Sequence, residues 1–296
     1  FDVDIAKGDP DRYREAHRRL DEALGGSGPL AQRLQAYRGA EEIPAERLEE
    51  SIHAFSSALR DTVRATYPLP DGETITYEVV TDKPWSGFNY YKGNYQSTVA
   101  VNADLKQQMS NLPRLVAHES YPGHHTEHCR KEAGLVEGKG QDEQTIFLVN
   151  TPQCLMAEGL ADLALYAVQG PDWGAWASEI YADLGLRFDG ERSAAISEAS
   201  AALADVRQDA ALMLHDEHRD VDDVAAYLSR WLLVSDERAR QMLRFLSSPL
   251  WRAYTSTYVE GYRLLKAWLD DRPAEVSLTE RFGRLLDEPL IPSSLR

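Results

Sequence analysis

Leu48, Ile52, Phe55, Leu59 and Val63 recur at spacings of four, three, four and four residues. An α-helix turns every 3.6 residues, so this spacing sets five apolar side chains on one face and predicts a helix over 44–66 that packs on a core. Pro68 and Pro70 end it, because proline has no amide hydrogen for a continuing helix. The same period governs most of the chain. A helix opens at Asp9-Pro10 and stops at Gly25-Gly26. Further helices are predicted over 105–117, 118–133, 143–168, 173–187, 191–216, 220–232, 236–246, 250–270 and 277–286. Gly134, Gly138 and Gly140 mark a loop, and Gly170-Pro171 a turn.

The period changes in one place. Residues 74–80 and 95–101 are rich in β-branched and aromatic side chains, which favour strands. The aromatic, glycine-bearing stretch 85–91 between them reads as a loop. The expected fold is therefore mainly α, with a small β-sheet at about 73–102. No internal repeat and no low-complexity linker divides the 296 residues. One domain over 1–296 follows, with an N-terminal helical part (1–70) and a larger part (71–296) holding the sheet and the remaining helices.

Composition removes several classes of function. With 32 Lys and Arg against 48 Asp and Glu, the net charge of −16 gives no pull towards phosphate backbones or anionic lipid, so no nucleic-acid partner is expected. No apolar run reaches the roughly 18–20 residues of a membrane span. Cys129 and Cys154 are too few for a disulfide framework and read as two free thiols, which favours a cytoplasmic location. The chain begins at Phe1, so a secreted or lipoprotein form is the alternative if a leader was removed before it. Nothing in the sequence indicates an oligomeric state.

Four of the eight histidines, His118, His124, His125 and His128, fall within eleven residues. That density points to metal binding or catalysis. In the H-E-x-x-H signature two histidines at i and i+4 share a helix face and bind zinc, while the Glu beside the first activates water. Here His118-Glu119 opens the pattern, but Pro122 stands at i+4 and the next histidines come at i+6 and i+7. On a regular helix i+6 points away from i by about 240°. Pro122 and Gly123 interrupt such a helix, and a two-residue bulge there would swing His124 back beside His118. His125 shares the face of His118 on an unbroken helix but lies roughly 10 Å along it. His124 is the preferred ligand and His125 the alternative; His128 is the weakest of the four.

A catalytic zinc takes three protein ligands and keeps one position open. Glu158 fits as the third, because it lies in an otherwise apolar helix where an unpaired carboxylate is costly. Asp162, one turn on, is placed to hold a ligating histidine.

His-Glu-x-x-Pro-Gly-His-His, followed by a Glu-Gly helix, resembles the DUF885 group of bacterial proteins, which are similar to zincin metallopeptidases of the gluzincin type. The resemblance runs from about residue 75 to the C-terminus. It includes Tyr90-Tyr91-Lys92-Gly93-Asn94, Val101-Asn102, Glu158-Gly159-Leu160-Ala161, the Arg207 to His215 spacing and Tyr258-Val259-Glu260-Gly261. Leu160 replaces the family's Trp, Ala211 and Met213 stand for its Asp and Gly, and Arg252-Ala253-Tyr254 replaces its Pro-Gly-Gln. Members are commonly longer at the N-terminus, so Phe1 is expected to follow a missing leading part.

The resemblance implies a zincin-like helical domain with Zn²⁺ as cofactor, and hydrolysis by water that Glu119 deprotonates. Tyr258 is the first choice as oxyanion donor, with Tyr254, Tyr262 and His215 behind it. By analogy of fold, residues 95–102 stand where zincins present an edge strand to the substrate backbone. The expected function is a zinc metallopeptidase acting on a peptide. The alternatives are a zinc enzyme acting on a small-molecule amide or ester, and a non-catalytic helical binding module.

Overall fold

Proline, glycine and short polar caps set most of the helix boundaries in the computed structural model, which describes residues 1–83 and 85–295. The chain runs α1 (Pro10–Leu24), α2 (Leu30–Ala40), α3 (Leu48–Thr66), β1 (Thr74–Val80), β2 (Gly87–Tyr91), β3 (Gln96–Asn102), α4 (Leu112–Glu119) and α5 (His124–Lys131). It continues as α6 (Pro152–Gln169), α7 (Trp173–Asp183), α8 (Gly190–Ser200), α9 (Asp205–His215), α10 (Val221–Leu232), α11 (Asp236–Leu246), α12 (Thr255–Asp270) and α13 (Leu278–Asp287). The fold is mainly α with one small sheet, as the two periodicities predict.

Several boundaries differ from the sequence expectation. Helix α2 has a single buried residue, Leu34, and so leaves no readable stripe. Residues 85–91 are not a loop: most of them form β2, which pairs antiparallel to β3. The sheet order is β1-β3-β2, with β1 and β3 parallel, so β3 is central and β2 is an edge. The stretch before α4 is irregular because its backbone is engaged elsewhere: Ile43 N donates to Gln107 O and Met109 N to Glu41 O. Helix α6 starts at Pro152, where the missing amide hydrogen costs nothing, and Thr151 caps it by accepting from Cys154 N at 3.1 Å.

The apolar interior forms two clusters. The first joins α3, β3, α4, α6, α7, α12 and α13 through Phe55, Val99, Val116, Leu160, Tyr181, Leu265 and Phe282. The second joins α1 with α8 to α11 through Tyr13, Leu20, Val206, Leu228 and Leu243. Helix α1 is tied to α9 by the Tyr13 phenol, which donates to Asp209 Oδ2 at 2.7 Å. Helices α6 and α12 cross with their backbones in contact: a Cβ on Gly159 would stand 2.4 Å from the Gly261 carbonyl carbon. Both Cys129 and Cys154 are free and buried. Among the described residues no helix is long and apolar enough to cross a membrane.

Candidate metal centre

Helix α4 ends at Glu119, where Ser120 leaves helical geometry, and α5 restarts at His124. Gly123 N donates to Ala117 O at 3.0 Å and Thr126 N to Ser120 O at 3.2 Å. Both bonds span six residues where a helix would span four, so two residues are looped out and the helical ladder then resumes. His124 thereby occupies the position that i+4 has in H-E-x-x-H. Only glycine permits the crossing, since a Cβ on Gly123 would stand 1.9 Å from His118 O.

The bulge brings the His118 and His124 rings to 4.7 Å between centroids, at right angles. Glu158 on α6 faces both: its Oε2 is 3.3 Å from His118 Nε2 and its Oε1 is 3.5 Å from His124 Nε2. Donors held 2.0–2.2 Å from a tetrahedral ion stand about 3.3–3.6 Å apart, so these separations fit a zinc ion between them. Glu158 is buried, and its Oε2 has no hydrogen-bond partner among the described residues. A carboxylate oxygen orphaned at that depth, facing two imidazole nitrogens, fits a ligand for a cation. His118 Nδ1 lies 2.9 Å from Asp162 Oδ1, which fixes the ring with Nε2 towards the site.

Charge follows the same geometry. Burial opposes protonation of His118, but Asp162 and Glu158 outweigh it and raise its pKa well above the usual imidazole value. His124 is raised to about 9, with Glu158 and Glu127 overcoming burial. Burial also opposes ionisation of Glu158, and the two histidines outweigh it, holding the carboxyl below the usual range. The pocket thus favours positive charge at its centre, whether protons or a metal ion supply it.

Glu119 is buried beneath the edge strand: a Cβ on Gly87 would stand 3.2 Å from its Oε1. Its carboxylate comes within 4.8 Å of the His118 and His124 ring nitrogens. Burial raises its pKa against the opposing pull of His118 and His124, and Glu158 and Asp162 add to the rise. Asn89 of β2 donates Nδ2 to the Glu119 carbonyl at 2.7 Å, joining the edge strand to the bulge. Residues 95–102, by contrast, are not an edge: β3 is paired on both sides, and β2 takes the outer place beside the site.

The tyrosines of α12 divide. Tyr254 donates to Glu158 Oε1 at 2.6 Å, so it positions a carboxylate. Tyr258 packs 6.2 Å from the His118 ring, and its hydroxyl makes no hydrogen bond among the described residues, leaving it a free donor at the site. Tyr262 lies one turn further on and is exposed.

Two expected residues are placed elsewhere. His125 is fully buried on the far face of α5, with Nε2 3.1 Å from Glu73 Oε2 and Nδ1 2.8 Å from Ser97 Oγ. Both ring nitrogens have partners, so neither is offered to the His118 group. His215 closes α9 with Nε2 2.8 Å from the Leu246 carbonyl, joining α9 to α11. His128 stacks on Tyr91 at 4.7 Å. The sequence reading passed over Asn89 and Gly87, and assigned Tyr254 a different role. Only the pairing of β2 and the α6–α12 crossing bring these residues to the site.

No family model matches the chain, so the DUF885 resemblance rests on its motif residues. No curated protein matches it either. Among solved structures, the crystal structure of "the putative lipoprotein from Colwellia psychrerythraea" superposes with a TM-score of 0.69 at 16% identity. The match covers 97% of this chain and 49% of that one, so the chain spans about half the length of the Colwellia protein. The fold is shared.

Proposed function

We propose that the chain is a zinc-dependent hydrolase, a metallopeptidase that cleaves peptide-like amide bonds, with His118, His124 and Glu158 as ligands. One observation carries the reading: the Glu158 carboxylate, with an orphaned oxygen, stands 3.3 and 3.5 Å from two Nε2 atoms. A zinc ion held there supplies a Lewis acid for a carbonyl and lowers the pKa of water.

The chain's own residues then have distinct tasks. Glu119, with its raised pKa, accepts the proton of the attacking water and returns it to the leaving amine. Tyr258 donates its unpaired hydroxyl to the oxygen on which negative charge develops. The free edge of β2 offers backbone groups to an extended substrate, and its register with β3 is fixed by pairs such as Asn89 with Val99. Asp162 and Tyr254 hold the ligands in place. The fold shared with a protein described as a lipoprotein supports an exported, lipid-anchored parent over a cytoplasmic one.

Metal analysis and turnover test the reading together. The purified chain is expected to bind one zinc and to cleave peptides from a mixed library. Glu119→Gln should keep the metal and lose about 10²–10⁴ of turnover. Full activity in that variant excludes Glu119 as the base, and a chain that takes up no zinc excludes the hydrolase.

A further inference from the structure

Two cavities, of about 400 and 580 Å³, adjoin between α2 and the connection from α7 to α8. Glu41 and Asp189 belong to both linings, and no residue of the metal centre lines either. Glu41, which follows α2, is only 8% exposed, whereas Asp189 stands exposed at the rim. A buried carboxylate and an exposed one therefore border the same space.

Neither carboxylate has a counter-cation. Among the described residues Glu41 and Asp189 make no ion pair, and Glu41 Oε2 is buried without a hydrogen-bond partner. Glu73, Glu127 and Glu260 are similarly buried, and each of them meets an Arg or a Lys. The two guanidiniums of the first cavity are engaged elsewhere. Arg33 pairs with Asp21 and donates to the Gly25 carbonyl at 2.6 Å. Arg192 donates to the Leu24 carbonyl at 2.8 Å and lies 5.7 Å over the Tyr37 ring. Asp189 accepts from Arg192 N at 3.1 Å through Oδ1, capping α8. Burial and the Asp189 charge raise the Glu41 pKa to about 7, against the pull of Ser193 and Arg192. Two carboxylates short of a cation behave in this way. The walls say which kind of cation fits. Calcium and magnesium take six or more oxygen ligands, whereas these carboxylates share their walls with Tyr37, Ala182, Leu186 and Phe188. A lining of a few charges on apolar carbon suits an organic cation.

We propose that Glu41 and Asp189 bind the ammonium group of a small organic amine, whose apolar body lies along Leu186 and Phe188. The site is separate from the metal centre and stands whether or not the chain is a hydrolase.

Benzylamine and hexylamine, each compared with the alcohol of the same carbon skeleton, test the site by ligand-observed NMR titration. At a pH of about 8 the amines are protonated and Glu41 is mostly ionised. The wild type should bind at least one amine about 10- to 100-fold more tightly than its alcohol. Glu41→Gln leaves the backbone bond from Met109 N to the carbonyl of residue 41 in place and should remove that preference. Asp189→Asn can still cap α8, and it should weaken amine binding from the rim with the fold intact. Amines bound no better than their alcohols, or bound undiminished by either variant, overturn the inference. Calcium chloride is titrated in parallel. Calcium uptake that Glu41→Gln abolishes, with no preference for amines, assigns an inorganic cation and overturns the organic one.

Discussion

The phenol of Tyr254 donates to Glu158 Oε1 across 2.6 Å, joining α12 to the carboxylate that faces both histidines. The bond leaves Oε2 without a partner and aims it at His118. Burial and the neighbouring Glu158 charge both push the Tyr254 pKa up, so the phenol stays a donor.

Tyr254→Phe tests that link with little change in shape. The ring keeps its packing on Trp251 and Tyr258, at 5.2 and 5.3 Å, while the donor is lost. Zinc affinity is expected to fall about 10- to 100-fold, the usual effect of removing a group that orients a ligand. Competition with a chromophoric chelator measures it. An unchanged affinity would mean that Glu158 is held by packing alone.

Gly261→Ala acts on the same geometry from outside the centre. The new Cβ would stand 2.4 Å from Leu155 O, so α6 and α12 must separate. Overpacking of this kind costs about 1–3 kcal/mol. A lower melting temperature is expected together with weaker zinc binding, because Glu158 and Tyr254 lie on the two helices being pushed apart. Loss of stability with full zinc affinity would uncouple the crossing from the site.

The neighbours His124 and His125 should behave in opposite ways. His124→Ala removes a proposed ligand, and the folded protein should no longer hold zinc. His125→Ala breaks contacts with Glu73 and Ser97, so it should lower the melting temperature by leaving buried polar groups unpaired. Its folded fraction should still bind one zinc. Elemental analysis of the monodisperse fraction of each variant decides the matter, and zinc lost from His125→Ala alone would reverse the assignment.

The site was legible where residue type and local spacing carried it. His118-Glu119, the carboxylate in an apolar helix at Glu158 and the Asp one turn later need only helical geometry to be picked out. Pro122-Gly123 even announced the bulge, because those two residues oppose a continuous helix. What stayed hidden depends on distant partners. Strand β2 is half-exposed on both faces, so its period-two signal is weak, and pairing with β3 is what makes it a strand. Tyr254 and Tyr258 share a helix face, and nothing in their spacing says which one meets Glu158. His215 fits a family spacing, but the structure turns its ring to the Leu246 carbonyl, a contact between helices that no local pattern encodes.

The buried Glu73 predicts a pH dependence separate from the metal. Its carboxylate meets Arg60 at 2.7 Å, Arg64 at 2.8 Å, the Tyr121 phenol at 2.7 Å and His125 Nε2 at 3.1 Å. Burial would raise its pKa, but His125, Tyr121 and the two arginines outweigh that and bring it from 4.5 to about 2. A carboxyl depressed by folding stabilises the protein fully above its unfolded pKa, and that contribution disappears as the pH falls from about 4.5 to about 2. The size follows from the shift and is about 3 kcal/mol at neutral pH. His125 contributes as a neutral donor, since burial lowers its own pKa. Denaturant unfolding of the metal-free wild type and of Glu73→Gln should therefore show a wide gap at pH 6 that narrows steadily below pH 4.5. Using metal-free protein keeps proton competition at His118 and His124 the same on both sides of the comparison. A gap that stays constant down to pH 2.5 would mean that Glu73 contributes through packing and neutral hydrogen bonds, and that the charge of Arg60 and Arg64 is not what anchors the start of β1 to α3.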